Sequence, residues 1–319
     1  MRKLVLLGLM SLFVLSATPA YATGGYWVDQ LGLRQAWQLS KGDGVRVGLI
    51  DTGVTKQSEL VNVLPGADFP DLGAPPGDAI GHGTTMALLI AGVAPKAGIL
   101  PAKLTGGAAD AVAAVRWAVD SGATVVNISL GAAPGETDYD EAITYAREHD
   151  VVVVAAAGNA PRDTRVTSPA DRPGVLAISA VDRTGQFSAD VSVSGTEVSF
   201  AAPGVDITTA RTGEKAPTSG TSQAAAIVSG VVALVRSRFP GLTAGQVTEV
   251  LAKTAKDLGA PGRDPLYGFG LVDPVAALNA DVDETNWRSI VLWVSAGIVS
   301  AGLGIWLSGR LRGRGRVRP

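Results

Sequence analysis

Five short apolar runs, Val45–Ile50, Ile99–Ala102, Thr124–Leu130, Val151–Ala157 and Val175–Val181, constrain this chain more than any other feature. Each is the length of a strand and lacks the polar alternation of a sheet with one wet face, so each reads as a strand covered on both sides. Helical patterns near Gly83–Ala94, Ala108–Asp120 and Thr137–Glu148 lie between them. Such alternation predicts an α/β fold: right-handed βαβ units forming a parallel sheet with helices on both faces. A Gly/Pro-punctuated region follows, Phe187 to Pro217, and then helices over Thr221–Arg238, Thr243–Lys256 and Pro274–Asn279. Asp273 before Pro274 is a start signal for the last of these, a cap followed by proline at the first helical position. Trp27, Leu31, Trp37 and Leu39 predict a short helical entry over Tyr26–Leu39.

The two ends of the chain carry membrane-type signals. Arg2-Lys3, an apolar run from Leu4 to Leu15 and Ala20-Tyr21-Ala22 make residues 1–22 a secretory signal peptide, whose apolar run is shorter than the ~20 residues of a span. The folded domain is expected over residues 23–280 and an acidic stalk over 281–288. Ser289 to Ser308 is free of charge and long enough to cross ~30 Å of hydrocarbon, with Trp287 and Trp306 near its ends. The tail over 309–319 alternates arginines from Arg310 to Arg318 with uncharged residues. Arginines stay inside, so the expectation is a single-pass membrane protein with its domain extracytoplasmic and its C-terminus cytoplasmic.

Bulk properties mostly exclude. A formal net charge of −2 gives no electrostatic footprint for nucleic acid. The chain has no cysteine, which removes disulfides, thiolate-zinc sites and cysteine nucleophiles. No acidic cluster has Ca²⁺-loop spacing, and neither metal nor cofactor is expected.

Three stretches carry chemistry. Val47-Gly48-Leu49-Ile50-Asp51-Thr52-Gly53 ends an apolar strand on a carboxylate, where open parallel sheets collect active residues. Gly81-His82-Gly83-Thr84 opens a helix with an imidazole. Ser219-Gly220-Thr221-Ser222 leads into small residues, placing Ser222 in a helix's first turn, where free N–H groups favour an oxyanion. Each has a bland reading: Ser222 as a helix cap, His82 as a satisfied helix-start histidine, Asp51-Thr52-Gly53 as half of an aspartic-peptidase dyad. The dyad needs a second such motif, which is absent, and leaves His82 and Ser222 without roles. The other histidine, His149, follows a helical pattern and reads as a C-terminal charge. His82 is therefore the base able to take the Ser222 proton, with Asp51 holding its tautomer.

Asp, His and Ser in that order is the chain order of subtilisin, and Asp-Thr-Gly, His-Gly-Thr and Gly-Thr-Ser followed by small residues resemble the subtilisin-like serine peptidases over roughly Tyr26 to Asn279. The resemblance implies catalytic Asp51, His82 and Ser222. It makes Asn159, in Ala155-Ala156-Ala157-Gly158-Asn159, one oxyanion donor beside the Ser222 N–H. It makes Ser129-Leu130-Gly131 the edge that pairs with substrate backbone, with Ala156 and Gly158 leaving room for a side-chain pocket. Two positions depart from the family pattern: Gln223 stands where Met or an aromatic is usual, and Ala226 where Pro is usual. About twenty residues between Ala22 and the first strand are too few for a propeptide domain, so maturation without a large one is expected.

The layout of signal peptide, domain, span and basic tail, together with Asp51-Thr52-Gly53-Val54-Thr55 and Gly92-Val93-Ala94-Pro95, looks most like the mycosins, membrane-anchored peptidases associated with type VII secretion. Mycosins that carry disulfides differ from this cysteine-free chain. The expected partners are a protein or peptide substrate, the membrane through the C-terminal helix, and a type VII secretion complex. A general surface protease and a catalytically inactive peptide-binding scaffold remain alternatives.

Overall fold

A computed structural model describes residues 25–57, 59–69, 77–105, 108–136, 139–209 and 216–282. The expected signal peptide, all but the first two stalk residues, the expected span and the tail lie outside the described residues. Among the described residues no helix is long and apolar enough to cross a membrane.

Seven strands make one all-parallel sheet: β1 (Arg46–Asp51), β2 (Ala67–Phe69), β3 (Gly98–Leu104), β4 (Val125–Ile128), β5 (Val152–Ala156), β6 (Val175–Val181) and β7 (Val198–Pro203), in the order β2-β3-β1-β4-β5-β6-β7. The five expected strands are present within three residues of their predicted ends. The sequence reading lacked β2 and β7. β2 is only three residues long, and β7 lies inside the region expected to be irregular and ends on Pro203.

Helices are α1 (Tyr26–Gln30), α2 (Leu33–Ala36), α3 (His82–Val93), α4 (Ala108–Asp120), α5 (Asp140–Glu148), α6 (Thr221–Arg238), α7 (Ala244–Thr254) and α8 (Pro274–Leu278). The predicted helical entry is thus two short helices. Asp273 caps α8 through Ala276 N at 3.0 Å, with Pro274 at its start as expected. Thr243 and Gln246 form a reciprocal capping box on α7.

Strand side chains alternate between two apolar layers, as period 2 requires. Val47, Leu49, Val125, Val152, Val154 and Ile178 face α3 and α6. Ile50, Val126, Ile128, Val153, Ala155 and Ala177 face α4 and α5. In α4 the buried residues Ala111, Ala114, Val115 and Ala118 recur at i, i+3, i+4 and i+7, one stripe of an amphipathic helix. By contrast, α3 and α6 are buried on nearly every side. They also touch closely: a Cβ on Gly230 of α6 would lie 2.5 Å from Val93 Cβ of α3. That close approach locks the end of α3 against the middle of α6, while the first residue of α3, His82, meets Asp51 at the carboxyl end of β1.

Candidate active site

Asp51 is the last residue of β1 and fully buried. Its Oδ1 accepts from Thr52 N at 2.8 Å and lies 2.7 Å from His82 Nδ1. His82 is the first residue of α3, its side chain 30% exposed against 1% for Asp51. Their approach depends on Gly83, where a Cβ would collide with the Gly53 carbonyl and sit 3.0 Å from Asp51 Oδ1. Any side chain there would push the helix off the carboxylate.

Burial alone would depress the imidazole pKa. The hydrogen bond and negative charge of Asp51, joined by the charge of Asp78, outweigh it and hold His82 above its ordinary value. Asp78 escaped the sequence reading. Its Oδ1 accepts from Thr52 Oγ1 at 2.8 Å and Gly81 N at 2.6 Å, and its Oδ2 accepts from Thr84 N at 2.8 Å and Thr84 Oγ1 at 2.7 Å. Desolvation opposes ionisation of this carboxyl, but the Thr84, Gly81 and Thr52 donors prevail and lower its pKa. The available signal was an acidic residue just before a helix start.

Ser222 is the second residue of α6 and 6% exposed. Its hydroxyl donates to the Ser129 carbonyl at 3.0 Å rather than to His82. Asn159 follows β5, and its Oδ1 accepts from Thr221 N at 2.8 Å and Thr221 Oγ1 at 3.0 Å. Those two bonds fix the amide orientation, and Nδ2 has no hydrogen-bond partner among the described residues. Beneath the serine runs a buried polar chain. Ser229 Oγ donates to Asn127 Oδ1 at 3.0 Å, Asn127 Nδ2 to Ser129 Oγ at 2.8 Å, and Ser129 Oγ to the Ser222 carbonyl at 3.3 Å.

Beyond β4, the backbone groups of Leu130 and Gly131 make no hydrogen bond among the described residues, so this edge is open to a further strand. Gly131 and Gly158 both face Thr167: a Cβ would lie 2.9 Å from Thr167 Oγ1 in the first case and 3.0 Å from Thr167 Cγ2 in the second. Thr167 is 4% exposed and bonded to the Ala157 carbonyl, so it lies packed between the two glycine segments. Ala156 is the buried last residue of β5. The sequence reading did not single out Thr167. His149 ends α5, where its Nδ1 lies 2.8 Å from the Tyr145 carbonyl, away from this site. Gln223 is buried, with Nε2 donating to Thr218 Oγ1 at 3.0 Å.

A buried strand-end carboxylate bonded to a helix-start imidazole, and a serine and an amide at a second helix start, are group types that serine-based acyl transfer uses. The family model of the subtilases matches residues 42–270. The chain belongs to the subtilase family, the subtilisin-like serine peptidases. It is 37% identical over 246 residues to a thermostable alkaline protease of Halalkalibacterium halodurans, covering 72% of this chain and 66% of that one. Mycosin-4 of Mycobacterium tuberculosis is 37% identical over 309 residues, covering 78% of this chain and 68% of the mycosin. The solved structure of the MycP3 protease from the type VII (ESX-3) secretion system superposes with a TM-score of 0.68 at 35% identity, covering 84% of this chain and 91% of that one.

Proposed function

We propose that this chain is a membrane-tethered endopeptidase that cleaves protein substrates outside the cytoplasmic membrane through Asp51, His82 and Ser222. The observation that carries the reading is the 2.7 Å contact of a buried Asp51 with His82 Nδ1, in a chain whose subtilase match spans Ser222 in the first turn of α6. Asp51 holds the Nδ1 proton, so Nε2 is the lone-pair face of the imidazole. As the substrate backbone pairs with Leu130 and Gly131, Ser222 Oγ leaves the Ser129 carbonyl, gives its proton to Nε2 and attacks the peptide carbon. The oxyanion is met by Asn159 Nδ2 and the Ser222 N–H, which has no partner among the described residues. His82 returns the proton to the leaving amine, and a water repeats the cycle on the acyl-enzyme.

Tethering rests on the charge-free run from Ser289 to Ser308 and its arginine tail. Participation in a type VII secretion complex rests on similarity to Mycosin-4 and the MycP3 protease. Equal identity to the thermostable alkaline protease supports the second reading, a general surface protease.

Fluorophosphonate labelling of the purified domain tests the chemistry. Wild type is expected to label at Ser222 and Ser222→Ala to neither label nor hydrolyse; unchanged turnover by Ser222→Ala would end the serine-peptidase reading. Truncation near Asp281 is expected to release a soluble, active domain that fails in cells, because tethering raises effective concentration without new contacts. Full cellular function at matched abundance would instead select the general protease.

A further inference from the structure

A carboxylate that touches no reacting atom sits at the junction of β1 and α3, and its bonds divide between the two. On the strand side Asp78 Oδ1 takes the Thr52 hydroxyl at 2.8 Å, and that oxygen also lies 3.3 Å from Asp51 Oδ1 and accepts Gly83 N at 3.0 Å. On the helix side it takes Ile80 N at 3.1 Å, Gly81 N, and both donors of Thr84. Thr52 after Asp51 and Gly81 before His82 are therefore both bonded to one buried anion, and Gly83 reaches it through Thr52. Asp78 N in turn donates to Thr55 Oγ1 at 2.9 Å, anchoring the loop to the segment after β1.

Resting on the triad reading, we propose that Asp78 is a positioning residue for catalysis: through Thr52 and the first turn of α3 it fixes the Asp51–His82 pair, and its charge favours the imidazolium formed during attack. A simple cap of α3 would need only the Gly81 and Thr84 bonds. The Thr52 arm adds nothing to the cap and ties the anion to the residue beside Asp51. Two anions thus bear on the imidazole, Asp51 from β1 and Asp78 from the loop before α3. The start of α6 and the segment after β4 carry uncharged Ser222, Gln223 and Ser129. Lys103, in register with Asp51 on β3, is the cation on that side.

The test is the pH profile of kcat/KM. Asp78→Asn keeps an acceptor for the helix while removing the charge. It is expected to lower kcat roughly tenfold with KM within about twofold, since small misplacement of a catalytic pair is costly. The acid limb should also move to lower pH, by roughly half a unit, because loss of a nearby anion disfavours the protonated imidazole. Thr52→Val cuts the strand arm together with its links to Gly83 N and Asp51 Oδ1, keeps the Asp78 charge, and is expected to lower kcat without moving the limb as far. Thr85→Val removes a bond in the same helical turn, Thr85 Oγ1 to the Gly81 carbonyl at 2.9 Å, without touching the carboxylate. It should lower thermal stability and leave the limb in place. A wild-type limb and kcat in folded Asp78→Asn, or an equal shift in Thr85→Val, would overturn the proposal and leave Asp78 a cap. Hydrolysis surviving in His82→Ala would instead overturn the triad reading itself, so the two failures are distinguishable.

Discussion

The two helical layers of this molecule differ in what they can tolerate. On one face of the sheet, α4 and α5 turn a polar side to water and are pinned across it by exposed contacts such as Arg116 with Glu141 at 2.6 Å. On the other, α3 and α6 have eleven of twelve and sixteen of eighteen residues buried. The face that carries His82 and Ser222 is the one with no freedom to shift. Functional groups are better placed by elements locked on all sides than by elements resting on a surface. A layer with one wet side serves as scaffold, and its substitutions should register as stability rather than rate.

Changes at the locked face should be the most damaging. His82→Ala is expected to reduce kcat by about 10⁴–10⁶, the scale of triad deletions in subtilisin, with the circular dichroism of the fold retained. In wild type, kcat/KM should rise with pH as His82 deprotonates, with a midpoint above the ordinary ~6.5 because its folded pKa is raised. The same shift acts oppositely on stability. It stabilises fully below about 6.5, where the unfolded histidine is also protonated, and that contribution is lost as pH rises through the folded value. A midpoint at or below 6.5 would show that Asp51 and Asp78 do not govern the imidazole.

Asn159→Ala comes next, with kcat down by ~10²–10³ and KM little changed, since the amide acts on charge that develops only at the transition state. That magnitude is the known one for the subtilisin oxyanion asparagine. Gly83→Ala should follow: the forced Cβ costs roughly 1–3 kcal/mol of overpacking, read as a lower melting temperature, and part of it appears as a fall in kcat as α3 moves off Asp51. The smallest effect belongs to the wet face. Arg116→Ala is expected to change stability by about 0–1 kcal/mol and leave kcat/KM untouched. A rate defect there would break the division between the layers.

The five longer strands and the motifs of the candidate site stand out in the sequence for a chemical reason. Asp51, His82, Ser222 and Asn159 sit in short motifs whose side chains must be of one type, and the flanking apolar runs are long enough to show their period. Asp78, Thr52 and Thr167 are common residues whose importance comes from which backbone groups surround them. A carboxylate with five donors and a carboxylate in water look alike in one dimension. β7 was hidden for a related reason: Val-Ser-Phe-Ala-Ala-Pro is too short and too mixed to stand out among the turns around it.

One buried hydrogen bond sets the rotational position of Ser222. The body of α6 is built largely from Ala, Val, Ile, Gly and Leu, a smooth cylinder in an apolar groove, and such a surface distinguishes poorly between neighbouring rotational settings. Ser229 is seven residues after Ser222, two turns along the same side of the helix. Its bond to Asn127 is satisfied in a single setting, and the alternatives would strand two polar groups in the core. The pair works as an index mark: the azimuth of the serine is set by a contact about 10 Å farther down the helix axis, in a part of the core that no substrate reaches.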